Sequence, residues 1–123
     1  MTDQPAPVSA IRDWHAHVYY DAASRTHAAT LRGWVEATFS VRMGRWHDAP
    51  VGPHPQAMYQ IAFENALFPT LAPFLALNRR GLAVLIHPDT GRPRDDHAHH
   101  AIWLGAVLPL HIGMLPEVSS SEV

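Results

Sequence analysis

The sequence predicts an α+β domain of the ferredoxin-like, split βαβ kind, in which one antiparallel sheet is backed by two helices. Three observations carry that prediction. Four stretches have strand character, two have helical spacing, and they follow one another as strand, helix, strand, strand, helix, strand. In such an order the first strand lies centrally and runs antiparallel to the third and fourth. A chain of 123 residues, 47% of them hydrophobic, buries one real core and is too short for two ordinary domains.

The first strand is the run "DWHAHVYYD", Asp13 to Asp21. Its period of two sets Trp14, Ala16, Val18 and Tyr20 on one face and His15, His17 and Tyr19 on the other. "DAASRTHAATLRGWVEATFSVRM" follows with Ala28, Leu31, Val35 and Phe39 at helical spacing, and Asp21 or Ser24 is placed to cap its start. A short strand is expected around Arg45 to His47, then a rigid loop, because the prolines from Pro50 to Pro55 exclude regular structure. "AMYQIAFE" is the third strand. "LFPTLAPFLALNRRG" is the second helix, its prolines suited to a first turn or a kink and Gly81 to its stop. "LAVLIHP" is a buried strand ending at His87, "DTGRPRDDHAHH" a polar loop, and "AIWLGAVLPLHI" a last apolar piece, helix turn or strand. Residues 1–10 read as a disordered leader, 11–112 as the single domain and 113–123 as a flexible tail. Trp14, Trp34, Phe39, Phe63 and Phe74 are core candidates.

Composition excludes several chemistries. With no cysteine, disulfides, thiolate metal sites and cysteine nucleophiles are absent, so any metal must be held by N and O ligands. All nine basic residues are arginines, which removes lysine Schiff bases and lysine general bases. A net charge of -2 gives no reason to expect nucleic acid or an anionic membrane as partner. No signal peptide or membrane-spanning run is legible, so a cytoplasmic location is the default expectation.

In the predicted sheet the end of the fourth strand returns to the start of the first, so His87 should approach His15, while the loop carrying His54 enters near Tyr19. Imidazoles at i and i+2 of a strand project from the same face and suit one ion or one pocket. Ten histidines in a chain this size predict roughly one accidental H-x-H pair, so the motif carries weight only through the other histidines brought near it. Glu64, Asp95 and Asp96 are the carboxylates nearest this region in the topology, and structural or solvated roles suit them better than ligation.

The motifs "HAHVYYD", "GRWHDAPVGPHPQAMYQIAF", "LNRRGLAVLIHPDTG" and "DDHAHHAIWLG" stand in the order and spacing of the DOPA 4,5-dioxygenase family of aromatic ring-cleaving dioxygenases, which the chain resembles from Asp13 to Gly105. The resemblance implies a small ferredoxin-like domain, a homodimer, and extradiol cleavage of a DOPA-like or hydroxycinnamate-like catechol by non-haem Fe(II) and O2. It sets the family's histidines on His15, His17, His54, His87 and His97. Metal ligands are then expected from His15, His17, His54 and His87, three of the four, with the remaining one or His97 moving protons. Tyr19 is a further candidate at the reacting centre, and Arg45 or Arg79 would pair with a substrate carboxylate. His27, His99, His100 and His111 receive no role. The competing reading is a non-catalytic, dimeric metal- or ligand-binding module whose histidines hold Zn(II) or another divalent ion.

Overall fold

The computed structural model describes residues 3–119. Five strands form one antiparallel sheet. In chain order the elements are β1 (Asp13–Tyr20), α1 (Arg25–Thr38), β2 (Arg42–Met43), β3 (Ala57–Phe63), α2 (Phe68–Asn78), β4 (Val84–Asp89), α3 (Pro93–Ala98) and β5 (Ile102–Leu104). The sheet order is β2-β3-β1-β4-β5, so β1 is central, with β3 and β4 on its flanks as the ferredoxin-like prediction requires. Among the described residues no helix is long and apolar enough to cross a membrane.

The period-two pattern of β1 separates two faces. Ala16, Val18 and Tyr20 point to the helix side, where Tyr59, Ile61, Phe63, Val84 and Ile86 join them against Leu31 and Val35 of α1 and Leu71 and Leu75 of α2. Tyr59 is fully buried there, and its hydroxyl donates to the Ala28 carbonyl at 2.8 Å, which satisfies the polar end of the ring. Burial of these side chains, at about 1.5–3 kcal/mol for each large aliphatic or aromatic group, is the main force holding both helices to the sheet.

Several elements depart from expectation. The strand expected at Arg45 to His47 lies earlier, at Arg42–Met43. Met43 pairs with Ile61 and His47 bridges Met58, so four steps along one chain oppose three along the other. That extra residue is a bulge, which turns Arg45 and Trp46 out of the ladder. β4 runs past His87 to Asp89, and Pro88 is tolerated because β5 pairs only with Val84 to Ile86 and leaves that end of β4 open on its outer side. "DTGRPRDDHAHH", read as a polar loop, contains the six-residue helix α3. Trp34, expected in the core, is 39% exposed on α1, with the Arg80 guanidinium 5.4 Å from its ring centre. Phe39 ends α1 in an extended conformation but still packs edge-on against Phe74, their centroids 5.2 Å apart. Leu115 to Ser119 run beside α3, where Arg94 donates to the Leu115 carbonyl and Ser119 N–H to the Gly91 carbonyl at 2.8 Å; the rest of the expected tail lies outside the described residues.

Candidate metal centre

The face of the sheet away from α1 and α2 carries His15, His17 and Tyr19 from β1. The antiparallel register sets His15 directly opposite His87 of β4, and His17 opposite Leu85. Tyr19, Met58 and Leu85 form a small buried cluster on this face, bordered by Trp103, Leu108 and Leu110. Trp103 stacks on Tyr19 at 6.0 Å between centroids. Two further imidazoles arrive from outside the sheet. The rigid Pro/Gly loop between β2 and β3 brings in His54, and α3 brings in His97. His17, His54, His87 and His97 are all buried, none more than 9% exposed, which histidines seldom are.

Their ring nitrogens converge. Ligating atoms of His15, His17 and His87 lie within 4.8 Å of one another, and so do those of His17, His54 and His97. His17 belongs to both groups. Its Nε2 is 3.0 Å from the Nε2 of His87, while its Nδ1 is buried without a partner among the described residues.

The outward nitrogens determine what the inward ones offer. Nδ1 of His87 lies 2.9 Å from the Pro88 carbonyl oxygen, and Nδ1 of His97 lies 2.7 Å from the Pro93 carbonyl oxygen. A carbonyl only accepts, so each Nδ1 carries the hydrogen and each Nε2 presents a lone pair. His54 Nδ1 is 2.7 Å from the Tyr19 hydroxyl, which orients that ring but, being able to donate or accept, does not dictate its tautomer. Such hydrogen bonds on the far nitrogen orient imidazoles for a metal. The donor set therefore fits a divalent transition metal. Two nitrogens on one ion at about 2.1 Å each stand about 3.0 Å apart when they subtend a right angle, the separation His17 and His87 already have.

Burial also holds these rings neutral. It pushes the pKa of His54 down to about 4 and that of His17 well below 6.5, neighbouring imidazoles adding to the effect, and it lowers His15, His87 and His97 as well. The same desolvation raises the Tyr19 phenol. A histidine whose pKa is depressed by folding binds its proton more tightly when unfolded, so its contribution to stability is complete above about pH 6.5 and is lost as pH falls toward 4. The unfolding free energy of the metal-free protein is expected to drop between pH 7 and pH 5, by up to about 1.4 kcal/mol per pH unit for each such imidazole, and its urea midpoint to fall with it. An unchanged midpoint would contradict neutral burial.

Among the described residues no carboxylate joins either group of three. Asp96 is buried, but its oxygens accept from Thr90 N–H at 2.9 Å and Thr90 Oγ1 at 2.6 Å. Asp95 lies 4.0 Å from His99 on the outer side of α3, and Glu64 is exposed. A cavity of about 200 Å³ opens beside the cluster, lined by His15, His87, His97, Asp89, Arg12 and Ser119 among others. Neither arginine expected at the substrate lines it. Arg45 is exposed beyond the bulge, and Arg79 donates to the Leu82 carbonyl at 3.0 Å beside Gly105. Arg12, which sequence reading passed over, lines it instead. Its signal was its position, one residue before the strand whose first member pairs with Asp89 of β4.

Comparison with known proteins bears on the family of the chain. Residues 14–114 match the model of the Dopa 4,5-dioxygenase family. A DOPA 4,5-dioxygenase of Amanita muscaria is 33% identical over 94% of this chain and 54% of its own length. An uncharacterized 21.2 kDa protein of Botryotinia fuckeliana is 31% identical over 86% of this chain and 64% of its own. The chain thus spans between about half and two thirds of the curated relatives it matches. A crystal structure from Nostoc punctiforme, described as a "putative dioxygenase", is 49% identical and superposes with a TM-score of 0.89 over 89% of this chain and 96% of that one. With a family match that runs through nearly the whole described domain and includes all five clustered histidines, the chain belongs to the DOPA 4,5-dioxygenase family.

Proposed function

We propose that the chain is an extradiol ring-cleaving dioxygenase that opens a catechol, DOPA-like or hydroxycinnamate-like, with non-haem Fe(II) and O2. The observation that carries this reading is the convergence of five mostly buried imidazoles, with no carboxylate among them, beside a cavity suited to a single ring. Family membership supplies the reaction class.

His17 and His87 are the ligands this reading requires first, because their Nε2 atoms already share one point. A third comes from His15 or His54. Fe(II) held there would bring catechol and O2 together and supply the one-electron chemistry that side chains lack. The rest falls to the protein. His97, whose Nε2 lone pair lies at the cavity wall, accepts a proton from a catechol hydroxyl and returns it later in the reaction. Tyr19 holds His54 by its hydroxyl and remains un-ionised. Trp103, Leu108 and Leu110 pack on Tyr19, Met58 and Leu85 and shield the Tyr19 side of the histidine-bearing face. Both atoms of O2 end in the ring-opened product.

The test is oxygen uptake by anaerobically purified protein loaded with Fe(II) and given L-DOPA or caffeate in air. Stoichiometric uptake with a yellow ring-opened product is expected, and none when Zn(II) replaces iron. If iron-loaded, folded protein consumes no oxygen with any catechol, the histidines serve a closed, non-redox site of the zinc type, and the chain is a metal-binding module.

A further inference from the structure

Among the described residues, one charged side chain at the cavity has no partner. Six other arginines are engaged: Arg25 with Asp48, Arg32 with Glu36, Arg42 with Asp13, Arg94 with Glu117 and the Leu115 carbonyl, Arg79 with the Leu82 carbonyl and Arg80 with His27. Arg12 reaches the cavity that His15, His87 and His97 line, and no ion pair or side-chain hydrogen bond engages its guanidinium there. The two carboxylates that line the cavity with it each accept hydrogen bonds from other groups. Asp96 accepts from Thr90 through both oxygens, and Asp89 accepts from the Gly91 N–H at 2.9 Å.

The backbone beneath the guanidinium is fixed. Arg12 N–H donates to the Asp89 carbonyl at 2.8 Å, which extends the β1–β4 ladder by one residue and fixes the base of the side chain. Its far end lies over Gly91, which is buried at φ +83°, and a Cβ built on Gly91 would fall 2.5 Å from the Arg12 terminal nitrogen. A residue with a side chain at 91 would therefore have to push the guanidinium away. A planar five-donor fork, solvent-exposed and unpaired among the described residues at the rim of a ring-sized cavity, is matched by a carboxylate, which it binds through two parallel hydrogen bonds.

We infer that Arg12 binds the side-chain carboxylate of the substrate and so selects carboxylate-bearing catechols over neutral ones. This rests on the dioxygenase reading above. It moves the role that sequence reading gave to Arg45 or Arg79 onto a residue at the cavity, and it gives Gly91 the task of leaving room for the guanidinium.

The experiment compares kcat and KM of the iron-loaded full chain for caffeate and for 4-methylcatechol, in the wild type and in Arg12→Gln, Arg12→Lys and Gly91→Ala. Wild type should prefer caffeate. Arg12→Gln should reduce that preference by about tenfold or more, the size of a charge-assisted hydrogen bond, with the loss carried by KM. Arg12→Lys should restore part of it, and Gly91→Ala should lower it by displacing the fork. If both catechols are opened and Arg12→Gln keeps the caffeate preference, the assignment to Arg12 is overturned while the dioxygenase stands. If the wild type opens neither, the reading beneath it falls and takes this inference with it.

Discussion

Replacement of His17 by alanine is expected to remove metal retention and turnover together while leaving the chain folded. His17 is the one imidazole common to both groups of three ligating atoms, and its Nε2 already lies 3.0 Å from that of His87. Without it neither group keeps three donors. Affinity should fall by on the order of 100-fold or more, since even changes to the partners of metal ligands lose 10–100-fold. The fold should tolerate the change. A buried ring is lost and a small cavity remains, but the Nδ1 that had no partner disappears as well, so the two effects oppose one another and the net change should stay within about 1 kcal/mol. Iron content after gel filtration, oxygen uptake and the urea midpoint of the metal-free protein separate these statements. His27→Ala, on the exposed surface of α1 beside Arg80, is the control that should keep both metal and activity. A His17→Ala protein that retained iron and turnover would sink the proposed centre.

The largest loss of stability from a residue near the cavity should come from Asp96→Ala. Asp96 is 2% exposed and is the sole acceptor for both the Thr90 N–H and the Thr90 hydroxyl among the described hydrogen bonds. A fully buried donor left unpaired costs about 1–3 kcal/mol; Thr90 is half-buried, which keeps the pair to the lower part of that range for each, about 2–4 kcal/mol in all. The effect should spread to chemistry through α3. Six residues are too few to sustain a helix alone, and α3 holds its place through two residues of its first turn, Asp96 on Thr90 and Arg94 on the Leu115 carbonyl. Released, it no longer presents His97 at the cavity. The expected signature is a lowered urea midpoint and a reduced kcat, with bound iron largely kept because the first ligands sit on the sheet. Asp96→Asn, which keeps one acceptor, should fall between. A midpoint equal to the wild type's in Asp96→Ala would show that Thr90 finds other partners and that α3 is held elsewhere.

What sequence reading recovered and missed follows from the range of the forces involved. The division of β1 into an apolar and a histidine face is written in period two. The approach of His87 to His15 follows once four strands and two helices are placed in order, because antiparallel pairing fixes which ends meet. β2 was misplaced because a bulge depends on the partner strand, and Arg45 to His47 look no less strand-like than Arg42–Met43 when β3 is not in view. α3 was read as loop since "PRDDHA" has no apolar stripe; its helix is held by Thr90 and Leu115, which lie outside it in sequence. Arg12 escaped notice for a similar reason. Its neighbours are set by the return of β4 and by a left-handed glycine, neither of which marks the residues around position 12. The paired arginines Arg45 and Arg79 drew attention through their motifs, yet local backbone bonding and exposure account for them.

The outermost strands of the sheet are β2, two residues long, and β5, three. A passing chain that sought to lengthen the sheet would find only a few unpaired amides at either rim, one rim interrupted by a bulge and the other running into Gly105 at φ +77°. The domain is thereby protected against edge-to-edge polymerisation, although its central strands are among the most apolar parts of the chain. Two copies that associate must do so through side-chain packing, and the register of the histidine-bearing strands stays independent of whether they do.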